Sequence, residues 1–269
     1  MLLADSFVDF MVSIPNIVFH EELLPIPVLS FMRALHLTVT YHRSLKGAQI
    51  SWFQGIVGML IIALGGSTTN SLLLGQPPSW LVSNSIIPTY VAVHIAYFHL
   101  PQVRGLLHSI PDYILNPILD LAHILHKANS ICSSVEKIRA DERYPLNESW
   151  IAMVVCGTLS GCAGGLWVST FQIATPEWGF KSTPQVLVEP SYIMKASFVV
   201  SSIYTWGTSG EGHGIFQFDK KEGRALAMLG MSLFSLIKTD ELAQIIRKIR
   251  VRSNGETAEG EEHKEKKNQ

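Results

Sequence analysis

Between Lys46 and Arg104 lie 57 consecutive residues without one formally charged side chain. A water-soluble domain needs charged side chains on its outward faces, so a gap of this length leaves burial in lipid as the economical alternative. A second gap runs from Ser149 to Pro176, 28 residues. Charged residues make up 16% of the chain, with a mean hydropathy of +0.24, yet the last stretch is dense in Lys, Arg, Glu and Asp. This is the pattern of an all-α polytopic membrane protein with a solvated tail.

A bilayer core about 30 Å thick takes about 20 apolar residues in helix. Trp52 to Leu74 and Trp150 to Phe171 meet this requirement, each opening on an interfacial Trp. Leu81 to Leu100 supplies a third span, separated by Pro77-Pro78 and limited by Pro101. Four weaker segments complete an expectation of seven crossings: Leu23 to His42, Ile110 to Ile131, Ser191 to Trp206 and Ala225 to Ile237. Each of these four also fits an interfacial helix. The expected organisation is an N-terminal segment (1–22), a seven-span domain (23–238) and a basic, then unfolded, tail (239–269). Within the domain, repeat one covers about 23–101, repeat two about 110–206, and the seventh span about 223–238.

The basic cluster Lys238, Arg247, Lys248, Arg250 and Arg252 puts the C-terminus in the cytosol by the positive-inside rule. Seven crossings then put the N-terminus on the lumenal side. Lys266-Lys267-Asn268-Gln269 has the spacing of a di-lysine retrieval signal, although a solubilising Lys/Glu run would read the same way. Asp5 and Asp9 stand where a cleaved signal peptide would carry basic residues.

A net charge of -1 argues against a nucleic-acid partner, because such proteins cluster Lys and Arg against phosphate. Cys132, Cys156 and Cys162 are too few and scattered for a disulfide framework or zinc site. His94, His99, His108, His123 and His126 lack an accompanying acidic pattern, so no metal is expected. No catalytic or phosphate-cradling motif is present, and Gly207 to Gly214 opens no helix. The chain is read as a non-enzyme.

Two spans carry internal glycines: Gly65-Gly66 followed by Ser67-Thr68-Thr69-Asn70, and Ser160-Gly161-Cys162-Ala163-Gly164-Gly165. Glycine inside a helix costs about 1 kcal/mol relative to Ala, and it bares carbonyls that a neighbour, water or an ion must satisfy. Interrupted spans in corresponding positions of two three-span halves point to a pathway between inverted repeats. Gly65, Gly66, Gly161, Gly164 and Gly165 are then hinges, and Ser67, Thr68, Asn70 and Ser160 a polar lining. Close packing is the competing reading, since Gly157, Gly161 and Gly165 share one helical face. Arg33, Asp120 and Lys195 are the ionisable groups expected at membrane depth, each costing about 2.5 to 3.5 kcal/mol there. They are candidates for charge barriers or gating.

These residues resemble the trimeric intracellular cation channels of the endoplasmic and sarcoplasmic reticulum, over roughly Leu24 to Lys238. Leu72-Leu73-Leu74-Gly75-Gln76-Pro77 is similar to the family's Leu-Leu-Leu-Gly-Glu-Pro. Trp150, Met153, Gly157, Gly161 and Leu166 repeat the family spacing, and Lys195-Ala196-Ser197-Phe198 resembles its Lys-Ala-Ser-Leu. The resemblance implies a homotrimer with one pore per subunit, conducting K⁺ and Na⁺ as counter-ions while Ca²⁺ leaves the store. No cofactor is implied beyond a bound phospholipid. The family's Lys-Glu-Val lipid motif is absent, with Asp120-Leu121-Ala122 in its place and Lys127 two turns on as a substitute. An endoplasmic reticulum or nuclear membrane location follows from the same resemblance. Two other functions fit the residues: an inverted-repeat carrier of a small solute, and a non-conducting assembly protein.

Overall fold

The computed structural model describes residues 2–20, 24–143, 146–209 and 217–237. Residues up to Ser232 form one compact unit, and a second begins at Leu233. The tail from 239 to 269, with the di-lysine signal, and the glycine-rich stretch after Ser209 lie outside the described residues.

Helix α1 (Leu2–Ser13) leads through a 3-10 turn (Ile14–Asn16) to a two-stranded antiparallel hairpin, β1 (Val18–His20) and β2 (Leu24–Pro27). Helices then follow in the order α2 (Val28–Ser44), α3 (Trp52–Leu73), α4 (Ser79–Val82), α5 (Ile86–His99) and α6 (Pro101–Ser109). The second half holds α7 (Asp112–Arg139), α8 (Trp150–Phe171), α9 (Gln185–Val188), α10 (Tyr192–Gly207) and α11 (Lys220–Ile237). The architecture is all-α apart from the small hairpin.

α3 and α8 match the two uncharged spans to within a residue, and both are long and apolar enough to cross a bilayer. Each is 22 residues long and starts after a serine: Ser51 Oγ accepts from Gln54 N–H, and Ser149 Oγ from Ala152 N–H. The third segment starts later than its hydropathy suggests. Pro78 opens α4 as a separate turn, and the polar Ser83-Asn84-Ser85 break delays α5 to Ile86. α7 runs eight residues beyond its apolar stretch, because the added polar groups find partners on other helices.

Exposure is that expected of helices facing lipid. Trp52, Phe53, Leu72, Leu73, Trp150 and Trp206 are all exposed large apolar side chains, while the core holds Tyr41, Met59, Ile131 and Tyr204 nearly sealed. α8 lies at the centre of the second half, packed against α3, α7 and α10. Small residues make this possible. A methyl at Gly157 would overlap Ser201 Oγ, and one at Gly161 would overlap Ser197 Oγ.

Candidate functional site: two glycine helices and their cations

α3 and α8 run unbroken through their glycines and cross there. A β-carbon added to Gly66 would stand 2.7 Å from Ser160 O, and one added to Gly164 would stand 2.5 Å from Ile62 O. Further along, Asn70 Nδ2 donates to Cys156 O at 2.7 Å. The partner number on α8 falls by four as that on α3 rises by four, so the helices are antiparallel. The crossing is also reciprocal. Gly66 and Gly164 are 98 residues apart, as are Ile62 and Ser160, and as are the opening residues Trp52 and Trp150.

The expected hinge and lining residues fall into two sets at this crossing. Gly65, Gly66 and Gly164 form the backbone contact, Gly65 standing against Gly164 Cα and the Trp167 ring. Gly161 faces Ser197 of α10 and Ile131 of α7, while Gly165 looks into open space. Ser67 and Thr68 donate back to Leu64 O, each at 2.9 Å, and Thr69 donates to Gly65 O at 2.7 Å. Thr68 and Thr69 also accept indole N–H bonds from Trp80 and Trp167, both at 2.9 Å. Ser160 Oγ donates to Ser130 O at 3.0 Å. Asn70 is buried and bridges α3 to Ser134 Oγ as well as Cys156 O.

Two cations meet the crossing from the neighbouring helices. Lys127 Nζ of α7 donates to the carbonyl of Gly161. Arg33 of α2 donates through Nη2 to Ala63 O at 2.7 Å and through Nη1 to His126 Nδ1 at 3.1 Å. A helical carbonyl retains a second lone pair after its i+4 bond, and the small neighbours of Ala63 and Gly161 leave room to reach it. Asp120 is half exposed, with its Oδ1 3.3 Å from His36 Nδ1; His36 in turn stacks on His123, ring centroids 4.3 Å apart. Lys195 stands exposed in the first turn of α10.

Sequence reasoning passed over a second polar cluster. Arg224 of α11 forms an ion pair with Glu136 of α7 at 2.5 Å and also donates to Asn129 Oδ1 at 2.9 Å. The Tyr204 hydroxyl donates to the same Glu136 carboxylate. Arg139 donates to Thr205 O and Thr208 Oγ1, both at 2.5 Å. The signal was available, since a charge inside an apolar bundle requires a partner. Beside the crossing, an apolar groove of about 620 Å³ is lined by Gly65, Thr68, Trp80, Trp167, Phe171 and Trp178. Among the described residues no cluster of three or more His, Cys, Asp or Glu could hold a metal.

No protein-family model and no curated protein matches the sequence. Solved structures do match. A trimeric intracellular cation channel from C. elegans, determined without Ca²⁺, superposes at TM-score 0.65 with 18% identity, covering 89% of this chain and 97% of that one. This chain has the trimeric intracellular cation channel fold. A second structure, of counter-ion channels of this kind acting in calcium release, gives TM-score 0.64 and 18% identity over 90% and 99% of the two chains. A prokaryotic channel of the type, in 0.5 M KCl, gives 0.51 and 17% over 78% and 93%. The fold thus joins proteins of very different sequence. It accounts for the placement of α3 and α8, whose glycines let two long helices cross at backbone contact.

Proposed function

We propose that the chain is a monovalent cation channel of an intracellular membrane, closed at the α3–α8 crossing. The observation that carries this reading is the Lys127 ammonium seated on the Gly161 carbonyl. A mid-helix carbonyl with a spare lone pair is a ligand for a dehydrated monovalent cation. Here a tethered cation occupies that lone pair. Withdrawal of Lys127 would free the carbonyl for K⁺ or Na⁺. Gly65, Gly66, Gly161, Gly164 and Gly165 serve as the hinges of such an opening, and Ser67, Thr68, Asn70 and Ser160 line it after rearrangement of their present bonds.

The reciprocal crossing supports two inverted three-helix repeats, which leave α11 as a seventh span. Homotrimeric assembly and a counter-ion role in Ca²⁺ release are the attributes of the solved proteins that share the fold. Ca²⁺ leaving alone would build an opposing potential worth about 2.3 kcal/mol per charge per 100 mV, which a parallel cation current dissipates. A cytosolic side for the tail is supported by the basic cluster Lys238, Arg247, Lys248, Arg250 and Arg252, and an intracellular-membrane location by the likeness to a trimeric intracellular cation channel. A phospholipid headgroup reaching Lys127 is the proposed ligand.

Purified protein in planar bilayers under a KCl gradient tests the reading. Discrete current steps reversing near the K⁺ equilibrium potential are expected, with open probability raised in Lys127→Met. Saturable, electrically silent solute uptake would instead support a carrier. Absence of both, with trimers intact, would support an assembly protein.

A further inference from the structure

We infer that Arg33 is a second cationic latch on the conduction path, equivalent to Lys127 in the other half of the molecule, and that both must leave their carbonyls for ions to pass. The inference rests on the channel reading above and concerns what holds that channel shut.

Equivalence is set by the helices that carry the two carbonyls. α3 and α8 have the same length, the same serine cap and the same opening Trp, and Ala63 stands 98 residues before Gly161, as Gly66 does before Gly164. The carbonyls of Ala63 and Gly161 therefore occupy matching positions on either side of the crossing. Each accepts a hydrogen bond from a cation on the helix that precedes its own in sequence: Arg33 on α2 before α3, and Lys127 on α7 before α8.

The carrier helices pack on each other. Arg43 of α2 reaches Asp112 and Asn116 of α7 at 2.8 and 2.9 Å, while Arg33, ten residues earlier, reaches His126, ten residues beyond Asn116. α2 and α7 are thus antiparallel, like α3 and α8. Arg33, in the second turn of α2, thereby reaches the middle of α7, at the residue that directly precedes Lys127. A lone snorkelling arginine would direct its head toward a helix end. Arg33 instead directs Nη2 to Ala63 O, in the middle of α3, and Nη1 to the His126 ring.

Two fixed positive charges on matching carbonyls constitute a barrier that neither forms alone. An entering cation faces repulsion from both and finds both oxygens occupied. A transmembrane field acts on each charge, so opening carries the steepness of two moving cations rather than one. Asp120 lies against His36 and is half exposed, and neither Arg33 nor Lys127 has a carboxylate partner among the hydrogen bonds and ion pairs of the described residues.

The test is the voltage dependence of open probability in planar bilayers for wild type, Arg33→Gln, Arg33→Lys and Lys127→Met. Arg33→Gln is expected to open at potentials where wild type is shut, with a shallower voltage slope, and to match Lys127→Met in direction. Arg33→Lys keeps the charge but cannot bridge Ala63 O and His126 together, so it retains the slope while its open probability rises. Wild-type currents with Arg33→Gln indistinguishable from wild type overturn the inference while the channel reading stands. A silent wild type overturns both. Should Arg33→Gln fail to assemble, Arg33→Lys decides: unchanged open probability overturns the inference.

Discussion

Gly66 presses its α-carbon against the backbone oxygen of Ser160, closely enough that an added methyl would come within 2.7 Å of it. The obstacle is main chain and has no rotamer to escape into. Gly66→Ala must therefore push α3 and α8 apart, with an overpacking cost of about 1–3 kcal/mol. Gly165 has nothing within 4 Å of its virtual β-carbon. Gly165→Ala avoids the collision and gains helix propensity, about 1 kcal/mol at most. Unfolding midpoints in detergent are expected to fall for the first variant and to hold or rise for the second. The opposite order would remove backbone contact as the reason for glycine at 66.

Asn70 links three helices with one amide, donating to Ser134 Oγ at 2.8 Å and to Cys156 O at 2.7 Å from a buried position. Asn70→Leu preserves bulk but removes both donations. Within a bundle such bonds are worth about 0.6 kcal/mol each on average, up to about 1.7. A loss of about 1–3 kcal/mol is expected, measured against Ser134→Ala in a double-mutant cycle. Strict additivity of the two substitutions would mean that the side chains do not communicate.

The elements most legible in the sequence were those without charged side chains. α3 and α8 could be bounded from charge gaps because a serine cap and an interfacial Trp mark each start. α7 could not, because hydropathy treats Glu136, Lys137 and Arg139 as the end of a span. In the folded chain Glu136 and Arg139 are bonded to α10 and its C-terminal end, and Glu136 to α11 as well. α1 and the β1–β2 hairpin had no such signature, since short apolar runs fit helix or strand equally. Within the site, the glycines and Arg33 could be singled out by cost alone. What each touches required the fold: nothing in the spacing tells that Arg33 meets Ala63 O, or that Thr68 and Thr69 hold the indoles of Trp80 and Trp167.

Arg224 and Glu136 tie the last described helix to α7, each only about a quarter exposed and joined at 2.5 Å. Removing one partner of a semi-buried pair strands the other, at about 3–5 kcal/mol for full burial and less here. Arg224→Met is expected to destabilise the protein by about 1–3 kcal/mol on that basis. Glu136→Gln together with Arg224→Met should recover part of the loss, because Gln still accepts from Tyr204 while no charge is left unpaired. Chemical unfolding of the four-member cycle in micelles measures the recovery, and none at all would deny the pair its coupling.

Asp141, just beyond α7, carries the clearest pH signature outside the spans. Arg143 donates to its Oδ1 at 2.8 Å and its Oδ2 at 2.6 Å, and Gln76 Nε2 adds a bond to Oδ2 at 2.7 Å from the loop after α3. Hydrogen bonding by Arg143 holds the carboxyl well below the usual carboxylate range, against the opposing effect of partial desolvation. A folded pKa below the unfolded one stabilises the native state fully at pH above the unfolded value, about 3.9, and the contribution is lost as pH falls toward the folded value. Wild type and Asp141→Asn are therefore expected to show a constant gap in unfolding temperature from about pH 5 to pH 8. Below about pH 4 the gap should close, as wild type loses a contribution the variant never had. A gap that widened on acidification would reverse the sign and rule out the Arg143 clasp as its origin.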